Sequence, residues 1–241
     1  MIKLKHTLVF FTSLLFTVIS AGVSAQDIGE EAIAVDTIAK VPTDYYGLRV
    51  GIDLSKPVRS FLDDNYTGFE VVGDFRIKKN YYLAAELGNE TKVTDLPNIE
   101  NTTKGSYVKA GFNYNAYENW FGMNNLIYAG VRAGFSSFSQ ELDSYTIYTT
   151  NPLFGDDTRL DSQDFSGLNA TWLELKLGLE VELFSNIYLG VNVQIKRSIT
   201  TKDPDGYANL YIPGFGKVTE DSTVGVGYGY TLSYLIPIFK K

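Results

Sequence analysis

The segment LELKLGLEVELF, residues 173–184, puts Leu173, Leu175, Leu177, Leu179, Val181 and Leu183 in one parity and Glu174, Lys176, Gly178, Glu180 and Glu182 in the other. Side chains alternate across a strand, so this run has one apolar face and one charged face. The period of two continues from Tyr45 onward and predicts eight strands, at 45–56, 66–78, 81–92, 105–117, 124–138, 168–184, 187–200 and 221–239. Hairpin connection throughout makes the predicted fold all-β: an eight-stranded antiparallel up-and-down barrel. Which face meets the outside, and whether that outside is water or lipid, is the question the rest of the sequence must answer.

The polar parity collects glycines, among them Gly88, Gly111, Gly130, Gly134, Gly178, Gly225, Gly227 and Gly229; Gly73 alone falls with the apolar set. It also collects charges of both signs: Arg49, Arg76, Lys109, Arg132, Lys176 and Lys196 against Asp53, Glu70, Asp74, Glu86, Glu174, Glu180 and Glu182. An eight-stranded lumen is just wide enough to be filled by side chains, so large residues there need small neighbours. Charges in a desolvated space must also be paired. These residues are therefore predicted to form a luminal ion-pair network, with the leucines facing lipid. The apolar runs have about the 9–11 residues that a tilted spanning strand requires.

Connections point the same way. Lys79-Asn80, Ser185-Asn186 and the stretch from Glu118 to Met123 are short, and the other four are longer, 139–167 and 201–220 most of all. Short turns at one end and long loops at the other is the outer-membrane arrangement. The alternative is an exported soluble barrel, a lipocalin-like carrier with leucines inward around a small apolar ligand.

The N-terminus reads as an export signal: Lys3 and Lys5, an apolar run from Leu8 to Ile19, then Val23-Ser24-Ala25. The expected organisation is a signal peptide at 1–25, an acidic periplasmic segment at 26–44 and the outer-membrane barrel at 45–241. Cleavage leaves 19 basic against 28 acidic residues, a net charge of −9, which argues against nucleic acid. With no cysteine, neither a lipidated anchor nor a disulfide framework is available. No later segment has some twenty consecutive apolar residues, so any membrane crossing must be made by a closed barrel.

The signal, the eight strands and the ending Tyr228-x-Tyr230-x-Leu232-x-Tyr234-x-Ile236-x-Ile238-Phe239 resemble the small eight-stranded outer-membrane barrels. More narrowly, they resemble an uncharacterised barrel family of flavobacteria-like bacteria. The resemblance implies bacterial outer-membrane location, with lipids and lipopolysaccharide as surroundings. It also implies that the barrel-assembly machinery reads an aromatic near the terminus, here Phe239, followed by Lys240 and Lys241.

Chemistry is sparse. The one histidine, His6, lies in the signal, so the mature chain has neither a histidine-dependent nucleophile nor the usual zinc ligands. No catalytic residue, metal site or cofactor is expected. Glu180 and Glu182 are better read as ion-pair members than as an acid–base pair, and Asp203-Pro204-Asp205-Gly206 lacks the spaced ligands of a calcium loop. Tyr145, Tyr148, Phe154, Tyr207, Tyr211 and Phe215 are candidate loop contacts to a sugar or protein. The expected function is non-enzymatic: adhesion, partner binding or envelope integrity through the extracellular loops, the partner itself being unspecified.

Overall fold

The structure, a computed structural model, describes residues 45–117, 125–147, 157–160, 162–218 and 222–240. The predicted signal peptide and the segment 26–44 lie outside them. In chain order the elements are β1 (Tyr45–Asp53), α1 (Ser55–Leu62), β2 (Tyr66–Lys78), β3 (Tyr81–Leu96), β4 (Ile99–Asn115), β5 (Leu126–Ile147), β6 (Asp157–Arg159), β7 (Gln163–Phe184), β8 (Ile187–Thr201), β9 (Tyr211–Ile212), β10 (Gly216–Lys217) and β11 (Val224–Lys240). β1 to β5, β7, β8 and β11 pair antiparallel in succession, and β1 with β11 closes a ring of eight strands. Closure leaves no sheet edge with unpaired backbone groups around most of the circumference.

Parity sets the two faces. Leu173, Leu175 and Leu177 are 50, 48 and 52% exposed, while Glu174 and Lys176 between them are 1 and 3% exposed. The same contrast runs round the ring, from Val50, Phe69 and Leu87 to Val108, Phe135, Val193 and Tyr230, all exposed. An apolar exterior around a charged interior suits lipid, where water would penalise the whole girdle. The barrel is transmembrane, and its interior is not the apolar cavity that a soluble carrier requires.

The predicted strands end a few residues beyond the apolar belt, but the ladder continues further. Above Leu87, Val108 and Phe135 the outward positions become polar: Asn89, Ser106, Ser137 and Asn169 lie opposite one another in register across β3, β4, β5 and β7. Backbone pairing does not need apolar side chains, so β3 and β4 run on to a two-residue turn at Pro97-Asn98 where a long loop was expected. The expected arrangement of short turns at one end and long loops at the other fails there. The expected loop 139–167 likewise shrinks, because β5 reaches Ile147 and β7 begins at Gln163. Of the short turns, Ser185-Asn186 has Asn186 at φ 68°, the left-handed geometry that asparagine tolerates.

At the other side of the ring β1 is shorter than expected. Asp53 turns the chain, its Oδ1 accepting from Ser55 N at 2.8 Å and from Tyr230 N at 3.1 Å. Residues 55–62 then form a helix instead of strand and loop, and Leu54 leaves the lipid-facing set. Pro57 is tolerated because a helix's first turn has no N–H partners to lose. Val58, Phe61 and Leu62 repeat at helical spacing and are exposed, Phe61 at 89%.

Candidate functional site

The lumen is built from the polar parity of the eight strands. Near the short-turn end, Arg49 forks onto Asp74, with Nη2 to Oδ1 at 2.8 Å, and also pairs with Glu180. The guanidinium lies over the rings of Tyr82 and Tyr188, at 5.1 and 5.3 Å. In the middle, Glu86 receives Lys109, Lys176 and Arg132, the last at 3.3 Å. Lys109 also reaches Glu70 at 3.2 Å, and the Tyr107 hydroxyl donates to Glu70. Ions this far from water are sustained only by such mutual pairing. Glu174 stands in register with Arg132 on one side and Lys196 on the other, but neither of its buried oxygens has a hydrogen-bond partner among the described residues.

Glycines make room for rings beside these charges. Gly88 lies opposite Tyr107, Gly134 opposite Trp172 and Gly178 opposite Tyr128, each ring covering its glycine so closely that a Cβ would overlap it. Charges, rings and glycines together fill the space that a pore would need.

Several predicted members of the network also bind main-chain groups. Asp53 binds main-chain N–H groups, as above, and Arg76 donates to the Lys79 carbonyl at 2.6 Å while lying 4.9 Å from the Tyr46 ring. Glu182 accepts from Asn186 N at 3.1 Å and ties the turn. Lys196 donates to the carbonyls of Gly214 and Phe215, at 2.7 and 3.3 Å. Parity places all of these inward, but it does not say whether a carboxylate or a carbonyl waits opposite.

Above the ion layers, the loop between β8 and β11 folds back into the barrel mouth. Ile212 and Phe215 pack on Tyr107, Phe138, Leu168, Ala170 and Trp172, with Phe215 edge-on to Trp172 at 6.0 Å. Glu90 fixes the loop's centre: it accepts from Tyr211 Oη at 2.6 Å and Gly214 N at 3.0 Å, and also from Lys56 at 2.6 Å and Tyr66 Oη at 2.9 Å. Gly214, at φ 79°, brings its backbone against the Tyr107 ring, where a side chain would not fit. Polar contacts continue outward, Gln140 Nε2 to Asn209 at 2.7 Å and Asn101 Nδ2 to Tyr207 Oη at 3.0 Å. Asp203 is used internally, accepting from Asn209 Nδ2 at 2.6 Å.

This overturns part of the loop-contact expectation. Tyr211 and Phe215 are 4 and 3% exposed and serve as anchors of the plug, because burying them closes the barrel mouth with apolar area. Tyr207 is half-buried against Phe165, at 5.5 Å, and Tyr145 is half-buried on the extended part of β5. Tyr148 and Phe154 lie outside the described residues.

Electrostatics favour the docked loop. Burial, reinforced by Glu90, pushes the Tyr211 hydroxyl well up, so it stays a donor. Burial opposes the charge on Lys56, yet Glu90 beside it holds the ammonium above its ordinary range. Tyr211→Phe is expected to weaken docking by about 1.5–3 kcal/mol, the usual worth of a hydrogen bond to a charged group. Limited trypsinolysis at the exposed Lys202 and Lys217 should then accelerate about tenfold or more. An unchanged cleavage rate would show that this bond does not hold the loop.

Lys56, Tyr66, Tyr107 and Trp172 were absent from the expected site. Glu90 belongs to the charged parity, but Lys56 required recognising α1, for which Pro57 followed by the Val58, Phe61 and Leu62 spacing was the available signal. Among the described residues, no three metal-ligating side chains converge. Glu70, Glu86, Glu90 and Glu180 are held by lysines, arginines and tyrosines, an arrangement that fixes structure.

Over residues 7–241 the chain matches a family described as a domain of unknown function, DUF6048. No curated protein matches it. Among solved structures it is similar to Ail, the attachment invasion locus protein of Yersinia pestis, at 11% identity and a TM-score of 0.39, over 79% of this chain and 96% of that one.

Proposed function

The chain belongs to the DUF6048 family, and we propose that it is a non-enzymatic barrel of the bacterial outer membrane that holds a stiff polar sheet outside the cell as a contact surface. On this reading the first 25 residues direct export, and the ion-paired lumen is structural. One observation carries it: β3, β4, β5 and β7 continue past the lipid belt. From Asn89 to Leu96 this extension is about 26 Å along the strand, at ~3.3 Å per residue. The plug packs against its inner face through Asn101, Gln140 and Leu168, which stiffens it, while its outer face carries exposed Asn89, Lys104, Ser106, Ser137 and Asn169. Beyond Val93, on the side away from β4, no strand pairs with β3 among the described residues, so a partner's strand has an edge to add to.

Trimming the sheet tests the proposal. Residues 92–103 and 139–164 are each replaced by Asn-Gly, leaving the belt intact. The trimmed chain is expected to insert, judged by heat-dependent gel mobility, while attachment of expressing cells to surfaces and to other cells falls to the level of a deletion strain. Attachment at the parental level by an inserted, trimmed barrel would refute the contact role.

A further inference from the structure

The barrel wall is incomplete at one place, and what fills the gap has the chemistry of a binding site. β1 ends at Asp53, opposite Thr231, while β11 continues upward to Val224 and β2 to Tyr66. Tyr230 directs both its N–H and its C=O to the β1 side, bonding to Asp53 Oδ1 and Leu54 N. Strand alternation therefore turns the N–H and C=O groups of Val226 and Tyr228 the same way, where no strand lies among the described residues. α1 bridges the gap, packing on β2 and touching β11, but it does not fill it. A half-open cleft of about 570 Å³ remains between them.

The inner end of this cleft gathers Lys56, Arg59 and Lys196, with Glu90 beside Lys56 and Glu174 in register with Lys196. Glu90 is fully engaged by Lys56, two tyrosines and a backbone N–H, so it neutralises Lys56 only. Lys196, 4% exposed, donates to two main-chain carbonyls and to no carboxylate among the described residues, so one of its three donors is left over. Arg59, on α1, lies on the Tyr66 ring at 3.9 Å and reaches Asp63 only at 3.7 Å. Gly227 keeps the floor open: a Cβ there would stand 2.9 Å from Gln194 Oε1 and 3.2 Å from Lys196 Nζ.

The mouth of the cleft is apolar and faces the bilayer. Val193, Ile195, Val226 and Tyr228 line it and are 58, 56, 80 and 61% exposed, in continuity with the lipid-facing belt. Exposed Phe61 and Leu62 place α1 where an interfacial helix embeds, at the headgroup level. A ligand that satisfies both ends is anionic at one end and apolar at the other. The unpaired N–H groups and the cations suit oxygens that only accept, which singles out phosphate.

We propose that the cleft between α1 and β11 binds a phosphate-bearing lipid of the outer leaflet, its phosphate held by Lys196, Arg59 and the backbone N–H groups of Val226 and Tyr228, and its acyl chain lying along the exposed wall of β8 and β11. The site is distinct from the protruding sheet, and its test does not depend on any extracellular partner.

Purified full-length protein in a nonionic detergent is titrated with dihexanoyl phosphatidic acid, dihexanoylglycerol and sodium phosphate, and binding is followed by isothermal calorimetry. Phosphatidic acid is expected to bind at least tenfold more tightly than either of the others. Lys196→Met and Arg59→Gln are each expected to weaken it, the former about tenfold or more. Arg59 is half-buried and lies on the helix outside the ion layers, so Arg59→Gln decides the matter if Lys196→Met does not fold, as judged by heat-dependent mobility. Equal binding of dihexanoylglycerol would reduce the cleft to a greasy surface, and equal binding of sodium phosphate would make it an ion site; either outcome overturns the proposal. Phosphatidic acid binding that ignores the substitutions in folded protein would do the same.

Discussion

Replacing Glu86 by glutamine is expected to destabilise the barrel by about 3–5 kcal/mol, the usual loss when a buried ion loses its partner. Glu86 is 3% exposed and is the common acceptor of Lys109, Lys176 and Arg132. The three cations are not equally dependent on it. Lys109 keeps Glu70 at 3.2 Å, and Arg132 keeps Asn113 at 2.8 Å and the Phe112 carbonyl at 3.0 Å. Lys176 has only Glu86 as a hydrogen-bond partner among the described residues. Glu86→Gln should therefore be rescued in large part by Lys176→Met, which removes the stranded charge. Lys109→Met should rescue little, because it leaves Glu70 without its cation. Urea unfolding in detergent micelles gives the three free energies. A loss under about 1 kcal/mol for the single variant would mean that the lumen is wet enough to screen its charges.

Gly134→Val carries the second large effect. The Trp172 ring lies across Gly134 from the adjacent strand and forms the floor of the cluster on which Phe215 docks. A valine there displaces the ring, with a cost of about 1–3 kcal/mol for overpacking and an undocked loop besides. Tryptophan emission should shift to the red, and proteolysis at Lys217 should accelerate. Gly73→Ala is the control: Gly73 faces outward, and its added Cβ would meet only the Arg49 carbonyl at 3.5 Å, an ordinary contact. Stability within about 0.5 kcal/mol of the parent is expected for Gly73→Ala, as for surface substitutions generally. Comparable losses at both positions would mean that strand propensity, and not luminal packing, sets the need for glycine.

The belt was legible because a period of two can be satisfied only one way once both faces are specified. Leu173 to Leu183 and Glu174 to Glu182 leave no other strand arrangement, since a one-residue slip would put every charge in lipid. The strand extensions were not legible. Thr94, Asn101, Thr102, Lys104, Gln140 and Glu141 lie beyond the predicted strand ends and carry no apolar alternation, and their strand state comes from the ladder continuing out of the belt. α1 was hidden for a related reason: at eight residues it is too short for periodicity to stand out from the strand before it.

By itself, then, the sequence determined which side chains share a face, because parity is a local consequence of the extended backbone. It therefore determined that one face is ionic and glycine-rich and the other apolar. What only the tertiary structure decided is who meets whom inside. Glu86 and Lys176 are 90 residues apart, Glu90 and Tyr211 are 121 apart, and nothing in either local stretch encodes the other. Ring closure and register bring them together. The same closure turns the loop's aromatic residues inward, because a barrel mouth open above buried charges is filled most favourably by the nearest apolar chain.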